Sequence, residues 1–400
     1  MTDELQPTDA TQETDEATID PASALEPVAA TPGEQGGKLI DGIALCLSGG
    51  GYRAMLFHLG ALWRLNELGY LPKLHRISSV SGGSITAAVL AMNWAKLGFD
   101  GANVGQQFNA SIVEPIRQLG GKTIDVGSVV SGALMPGSIG DKVTNAYRKH
   151  LFGDKTLQDI PDMPSFIINA TNVQSGSLWR FAKPYMRDWQ VGEVKNPKIE
   201  LAVAVAASSA FPPVLSPLEM ELEPGLFTET HPAKLQREPF TTDVVLTDGG
   251  VYDNLGLETA WKRYKTVLVS DGGGNLEPEP EPKKDWVRHT LRVLFIIDNQ
   301  VRSLRKRQVI ASYKLGTRKG TYWGIRSDIA KYAVQGALNC PLEKTIKLAN
   351  VGTRLQRLEP ETQEQLINWG YAICDAGLRR HVDTALPPPA GFPYPQQGIG

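Results

Sequence analysis

Ser81 stands at the carboxyl end of the strand-like run His75–Val80, within Ser79-Val80-Ser81-Gly82-Gly83-Ser84. A serine hydroxyl becomes a useful nucleophile only when a neighbouring base takes its proton and donors stabilise the oxyanion that forms. A sharp strand-to-helix turn presents such a hydroxyl, and Gly82 and Gly83 allow the turn to pack tightly. The usual elbow is Gly-x-Ser-x-Gly, but Ser79 takes the first position here. The same residues also fit a plain strand-to-helix connection in which Ser81 caps the helix. For the base, Asp248 follows the run Val244–Thr247 and is itself followed by Gly249-Gly250-Val251-Tyr252-Asp253-Asn254. Asp271-Gly272-Gly273-Gly274 has the same setting after a strand, so the pattern alone does not separate the two aspartates.

The oxyanion donors are expected from Gly49-Gly50-Gly51, where the lack of side chains lets backbone N–H groups approach a developing charge. Gly49-Gly50-Gly51-Tyr52-Arg53-Ala54 also satisfies Gly-x-Gly-x-x-Ala, so a nucleotide-binding module is an alternative from a different class. That fingerprint asks for an acidic residue at the end of the second strand, where Ser79–Ser81 stand instead. No Gly-Lys-Ser or Gly-Lys-Thr follows these glycines, so they do not make a phosphate-binding loop of that kind. A Ser-Asp-His triad would need a late histidine. His289 lies in a basic helical stretch and His381 in Arg-Arg-His, while His58 falls along the first helix; each reads as a surface or packing residue. No His-Glu-x-x-His, calcium loop or Cys-His cluster occurs, so neither metal nor cofactor is expected.

The elements that must position these residues follow from apolar spacing. Ile43–Leu47 reads as a strand, and Tyr52, Met55, Leu56, Leu59, Leu62 and Trp63 then recur at helical spacing until Gly69 and Pro72. His75–Val80 is the second strand, followed by a helix through Ile85, Ala88, Val89 and Met92. Further buried strands are expected at Phe166–Ala170, Val244–Thr247 and Thr266–Ser270. This alternation predicts an α/β fold, with a central, mostly parallel sheet flanked by helices and a site at the strands' carboxyl ends. Gly120–Gly140 and Pro212–Phe240 are too irregular to assign and read as loops over the site. Pro360 opens a helix through Leu366, Trp369 and Ile373, and Pro387-Pro388-Pro389 begins a loose tail.

The chain of 400 residues, 42% hydrophobic, can bury a large core, yet no apolar run is long enough to cross a bilayer. Residues 1–37 hold nine Asp and Glu without a Lys or Arg, and read as a disordered acidic tail. The remainder is therefore net positive by seven charges, although the whole chain is at −2. No secretory signal is read at the amino terminus, and three widely spaced cysteines do not suggest a disulfide framework, so cytoplasm is the default. Nucleic acid is not an expected partner. Trp286–Lys319 is helical in character and basic, and Arg302–Arg307 suggests peripheral contact with an anionic membrane; a catalytically silent membrane-binding protein is a third reading.

Ser48-Gly49-Gly50-Gly51-Tyr52-Arg53-Ala54-Met55, the Ser81 hexapeptide and Asp248–Asn254 together resemble the patatin-like phospholipases. The glycine loop is also similar to that of the related animal cytosolic phospholipases. The likeness spans roughly residues 40 to 260 and includes Ala206-Ala207-Ser208-Ser209-Ala210-Phe211-Pro212-Pro213. It implies a three-layer α/β/α acyl hydrolase domain over 38–385, with a C-terminal helical extension before a Pro-rich tail at 386–400. It further implies a Ser-Asp dyad of Ser81 and Asp248, with Asp271 a lesser candidate. Gly49, Gly50 and Gly51 would form the oxyanion hole, and Arg53 would support that loop or a phosphate. The implied reaction is hydrolysis of a phospholipid or other acyl-ester lipid through an acyl-enzyme. Ser79 and Ala54 depart from the family pattern, which usually has glycine at the first and often at the second.

Overall fold

Alternation along Ile40–Leu47 (β1) sends Ala44 and Cys46 to one face and Leu45 and Leu47 to the other, and all four are fully buried. A strand apolar on both faces needs helices on both. The computed structural model, which describes residues 39–124, 139–228 and 233–400, supplies them. The acidic segment 1–37 and parts of both irregular stretches lie outside the described residues.

After β1 come α1 (Gly51–Glu67), β2 (Leu74–Val80), α2 (Gly82–Asn93), α3 (Glu114–Gly120), α4 (Ile139–Tyr147) and β3 (Ser165–Asn172). Three short strands follow, β4 (Ser177–Phe181), β5 (Tyr185–Asp188) and β6 (Gly192–Lys195), then α5 (Leu201–Ser208), β7 (Leu218–Glu221) and β8 (Asp243–Asp248). The chain continues through α6 (Gly250–Asp253), α7 (Glu258–Trp261), β9 (Tyr264–Asp271), α8 (Trp286–Lys314), β10 (Lys319–Gly324), α9 (Leu342–Ala349) and α10 (Pro360–His381). The ten strands form one mixed sheet, ordered β10-β9-β1-β2-β3-β4-β5-β6 along its main path. Its centre, from β10 to β3, is parallel, as the strand-helix alternation predicts. The antiparallel strands β4–β7 add what the periodicity did not announce, and β7 falls inside a stretch expected to be loop.

One face of the sheet is covered by α1, α2 and α10 and the other, over β1 and β9, by α7 and the end of α8. The α10 helix is part of the core layer rather than an appendage. A Cβ on Gly60 of α1 would lie 1.9 Å from Ile367 O, and one on Gly370 of α10 would lie 1.8 Å from Phe57 O. Only glycine at both positions lets these backbones cross so closely. Nor is the stretch after Pro387 loose. Asn368 donates to the carbonyls of Tyr394 and Gln397, Tyr394 packs edge-on against Trp63, and Ile399 is buried.

The position of β8 decides the site. Strand β2 pairs with Ser165–Asn169 of β3, and β4 occupies the opposite edge over Ile168–Asn172. Strand β8 pairs antiparallel with Ala170–Asn172, so it must lie on the β2 edge, beyond the end of β2. Its carboxyl end, Asp248, opposite Ala170, therefore meets the carboxyl end of β2 head-on.

Candidate active site

The backbone at Ser81 has φ 52° and ψ −122°, a conformation that favours glycine and that a side chain adopts only when its surroundings force it. The forcing contacts are visible. A Cβ on Gly82 would fall 2.1 Å from Gly51 O, and one on Gly83 2.5 Å from Leu47 O, so α2 starts pressed against the glycine loop. The Ser81 amide donates to Ser208 Oγ (2.9 Å), which in turn donates to Asn169 O (2.7 Å). Ser81 is not a side-chain cap of α2. Ser79, whose presence broke the elbow pattern, sits in regular strand; its hydroxyl donates to Ile167 O (3.2 Å) and accepts from Ser84 Oγ (3.0 Å). A glycine is not required there because the positive φ falls at Ser81 itself.

The glycine loop is fixed from several sides. Ser48 N donates to Ser270 O, and Ser48 Oγ accepts from Gly272 N (2.9 Å). His58 is fully buried, with Nδ1 2.8 Å from Ser270 Oγ and Nε2 2.9 Å from Ser48 O. Trp323 Nε1 also donates to Ser270 Oγ (3.0 Å), which turns the Ser270 proton toward His58 Nδ1 and leaves His58 Nε2–H to donate to Ser48 O. Burial lowers the His58 pKa to about 4, so the ring is neutral. His58 packs in the core, as its place on the helix suggested, but it also anchors the loop. His289 and His381 are exposed on the surface.

Within the loop the donors are not equivalent. Gly49 N–H is already engaged with Asn254 O (3.0 Å), while Gly50 and Gly51 line the cavity beside it. Gly50 and Gly51 have φ of 144° and 60°, both in the range that favours glycine. Tyr52 N–H, where a dinucleotide phosphate would sit on α1, donates instead to Arg354 O (3.1 Å), and a Cβ on Gly51 would lie 2.7 Å from that same oxygen. That packing leaves no room for the nucleotide reading. Arg53 is buried beneath the loop: Nε donates to Gly272 O (3.1 Å) and Nη1 to Val351 O (2.6 Å). It ties loops together and does not line the cavity.

Asp248 is held at both backbone ends. Its N–H donates to Ala210 O (2.9 Å), and its carbonyl accepts from Thr171 Oγ1 (2.9 Å). Carboxylate Oδ1 accepts from the Gly250 amide (2.6 Å), while Oδ2 is buried without a well-aligned partner. Burial, with a smaller push from Asp298, raises the Asp248 pKa to about 7, against the opposing pull of the Gly250 amide and the Ser81 hydroxyl. The Ser81 hydroxyl is thus near enough to Asp248 to favour the ionised carboxylate. Asp271 is electrostatically the opposite. Although burial pushes it up, Lys306 (3.3 Å), Arg302, the Tyr322 hydroxyl (2.6 Å) and the Gly273 amide hold it well below the usual carboxylate range. Asp271 is a permanent structural anion.

Ser81, Asp248 and the three glycines share one cavity of about 670 Å³, walled by Phe211, Pro213, Leu215, Leu276, Phe295 and Leu355, with Arg302, Arg354 and Asp298 among the polar groups. Its size and apolar lining suit a lipid chain. The segment Ala206–Pro213 explains itself here. Ser208 holds the Ser81 amide, Ser208 O accepts from Gly249 N, Ala210 O holds the Asp248 amide, and Phe211 and the prolines form the wall. Sequence reasoning missed the role of Ser208, and that of Asn254, whose carbonyl joins the aspartate turn to the glycine loop. Ser208 lies in a segment noted for resemblance alone, and Asn254 at the end of the turn that follows Asp248. Among the described residues, no group of three His, Cys, Asp or Glu converges to hold a metal, and no helix is long and apolar enough to cross a membrane.

A patatin-like phospholipase family model matches residues 45–261, more than half of the chain, from the last residues of β1 to the end of α7. The chain belongs to the patatin-like phospholipase family. Its fold is the one that the alternation of strands and helices predicted. Human GIVD cytosolic phospholipase A2 shares the fold with a TM-score of 0.51 at 12% identity, covering 88% of this chain and 60% of that one. This patatin-like chain therefore matches less than two thirds of that protein's length. VipD from Legionella pneumophila is more distant, with a TM-score of 0.33 at 15% identity over 84% of this chain and 66% of that one. No curated protein matches by sequence.

Proposed function

We propose that the protein is a serine acyl hydrolase that cleaves ester bonds of phospholipids or related lipids through a dyad of Ser81 and Asp248. The observation that carries this reading is the convergence in one apolar cavity of a serine in a strained backbone conformation and a buried carboxylate with a pKa of about 7. A base poised near neutrality can both take and return a proton.

In this mechanism Asp248 accepts the Ser81 proton as Oγ attacks the ester carbonyl carbon. The amides of Gly50 and Gly51 receive the oxyanion, because the Gly49 amide is already engaged with Asn254. Collapse breaks the ester C–O bond, and Asp248 returns the proton to the departing alcohol. Water, deprotonated by Asp248, then attacks the acyl-enzyme and releases the fatty acid, with the proton passing back to Ser81. The apolar wall receives the acyl chain. Arg302 and Arg354 place positive charge beside an anionic headgroup.

The test is labelling by a lipid fluorophosphonate followed by peptide mapping, alongside ester hydrolysis by Ser81→Ala. Covalent label on Ser81, with hydrolysis abolished in the variant, is the expected result; label elsewhere, or hydrolysis retained, refutes the dyad.

A further inference from the structure

Ser208 and Ser209 stand side by side at the end of α5, but only Ser208 has a part in the geometry described above. Ser208 O and Ala210 O accept from the amides of Gly249 and Asp248, so Ser209 is bracketed by the two carbonyls that fix the Asp248 turn. Its side chain is buried, yet it belongs to the wall of the cavity that holds Ser81 and Asp248.

A serine hydroxyl carries one proton and two acceptor lone pairs. The Ser209 proton goes to Val205 O, 2.5 Å away on the preceding turn of α5. The Tyr147 hydroxyl of α4 lies 3.1 Å from Ser209 Oγ, and with the serine proton committed, Tyr147 must be the donor. Burial raises the Tyr147 pKa, against the pull of the Ser209 hydroxyl and with a push from the Asp248 charge, so the phenol keeps the proton it donates. Ser209 Oγ therefore holds Tyr147 with one lone pair, keeps a second, and has no proton to give. The influence of Asp248 on Tyr147 also brings the carboxylate into the neighbourhood of this oxygen. Asp248 Oδ2 is likewise a buried acceptor without a well-aligned donor, and formation of an acyl-enzyme removes the Ser81 O–H from beside it. Two acceptors on one cavity, both short of a donor, match a ligand with two O–H bonds.

We propose that Ser209 positions the water that hydrolyses the acyl-enzyme, by accepting the O–H that Asp248 does not take. This rests on the reading of the cavity as an acyl-ester hydrolase site. One O–H of the water points to Asp248 and the other to Ser209 Oγ, which aims an oxygen lone pair at the acyl carbon. The new C–O bond forms as Asp248 removes the first proton, and the carbonyl oxygen becomes the oxyanion beside Gly50 and Gly51. Collapse breaks the bond to Ser81 Oγ, which recovers that proton from Asp248. The second hydrogen stays on the product as its carboxyl proton. Ser209 gains and loses no proton, so it is a positioning residue.

The experiment is the partition of the acyl-enzyme of the full-length chain between water and added methanol, read as the ratio of fatty acid to methyl ester formed from a nitrophenyl ester. Methanol has a single O–H, which goes to Asp248, so its attack makes no use of Ser209. Ser209→Ala, and Ser209→Cys with its similar shape and poorly accepting sulfur, should each lower the ratio of acid to methyl ester about five- to tenfold, the effect of one lost hydrogen bond. Either variant serves if the other fails to fold. Nitrophenol release by these variants without methanol should show a burst, because acylation outruns the slowed deacylation. A general distortion of the dyad would slow both acceptors alike and leave the ratio unchanged. Tyr147→Phe removes the donor to Ser209 but not its lone pairs, and should keep the wild-type ratio. A ratio unchanged in the Ser209 variants, or lowered as far by Tyr147→Phe, would overturn the role of Ser209 and leave the dyad standing. A wild-type chain that forms neither acid nor methyl ester would defeat the hydrolase reading, and the role of Ser209 with it.

Discussion

Asp248→Asn isolates the electrostatic cost of the proposed base. Burial moves the Asp248 pKa from 3.8 to about 7, so between those values the folded chain holds a proton that the unfolded chain has lost. Stability from this group is therefore fully present below pH 3.8 and declines by about 1.4 kcal/mol per pH unit until about pH 7, some 4 kcal/mol in all. Asparagine keeps the shape and the acceptor for the Gly250 amide but does not titrate. The free energy of unfolding of Asp248→Asn minus that of the wild type, from urea titrations at pH 4.5 to 8.5, should rise steadily and level off above about pH 7. His58 makes this difference necessary. Its pKa, lowered from 6.5 to about 4, gives a slope of the opposite sign over much of the same range, with stability present above pH 6.5 and lost as pH falls toward 4. The two slopes oppose one another in the wild type, whose own profile conceals both. Asp248→Asn should reveal the His58 slope, and His58→Gln the Asp248 slope. A stability difference for Asp248→Asn that does not change with pH would refute the assignment of a buried carboxylate titrating near neutrality.

The same carboxylate should govern the rate: kcat/KM for a neutral ester should fall about tenfold per unit below pH 7 and be flat above it, with no such limb if Asp248 is not the base. Ser208→Ala removes the acceptor of the buried Ser81 amide and should destabilise the chain by about 1–3 kcal/mol by urea unfolding while lowering kcat more than it raises KM. Gly82→Ala drives a Cβ to 2.1 Å from Gly51 O, displacing elbow and glycine loop together, and should reduce kcat/KM by more than about 10²-fold; near-normal activity would show that the loop does not serve as the oxyanion site. Arg53→Lys loses one of the two loop ties made by the guanidinium and should lower the melting temperature without changing the preference for headgroup charge, because Arg53 does not line the cavity.

Much of this was legible along the chain because it is local. The run from Ile43 to Leu47, the helical spacing from Tyr52 to Trp63 and the glycines after Ser48 and Ser81 each encode a strand, a helix or a turn within a few residues, and each is found where expected. The family follows from three such local motifs in order. What stayed illegible depends on partners far away in sequence. Ser79 looked like a flaw in the elbow until the neighbouring strand supplied Ile167 O for its hydroxyl. Arg302–Arg307 reads along the chain as a basic patch, but Asp253, Glu258 and Asp271 draw two of its cations, Arg305 and Lys306, inward. The exposure of Trp286 and Ile297 could not be read from periodicity, which gives a helix a face without saying what that face meets.

Asp248 and Asp271 show where the division falls. Residue types and spacing determined by themselves that each aspartate closes a strand and enters a glycine turn, since that requires only the chain beside it. Tertiary structure alone decided their chemistry. Strand β8 enters antiparallel beyond the end of β2 and buries Asp248 with few compensating donors beside Ser81, which raises its pKa. Strand β9 delivers Asp271 to Lys306, Arg302 and Tyr322, which keep it charged. A carboxylate's proton affinity is set by the charges and solvent around it, and those neighbours come from segments that only the fold brings together.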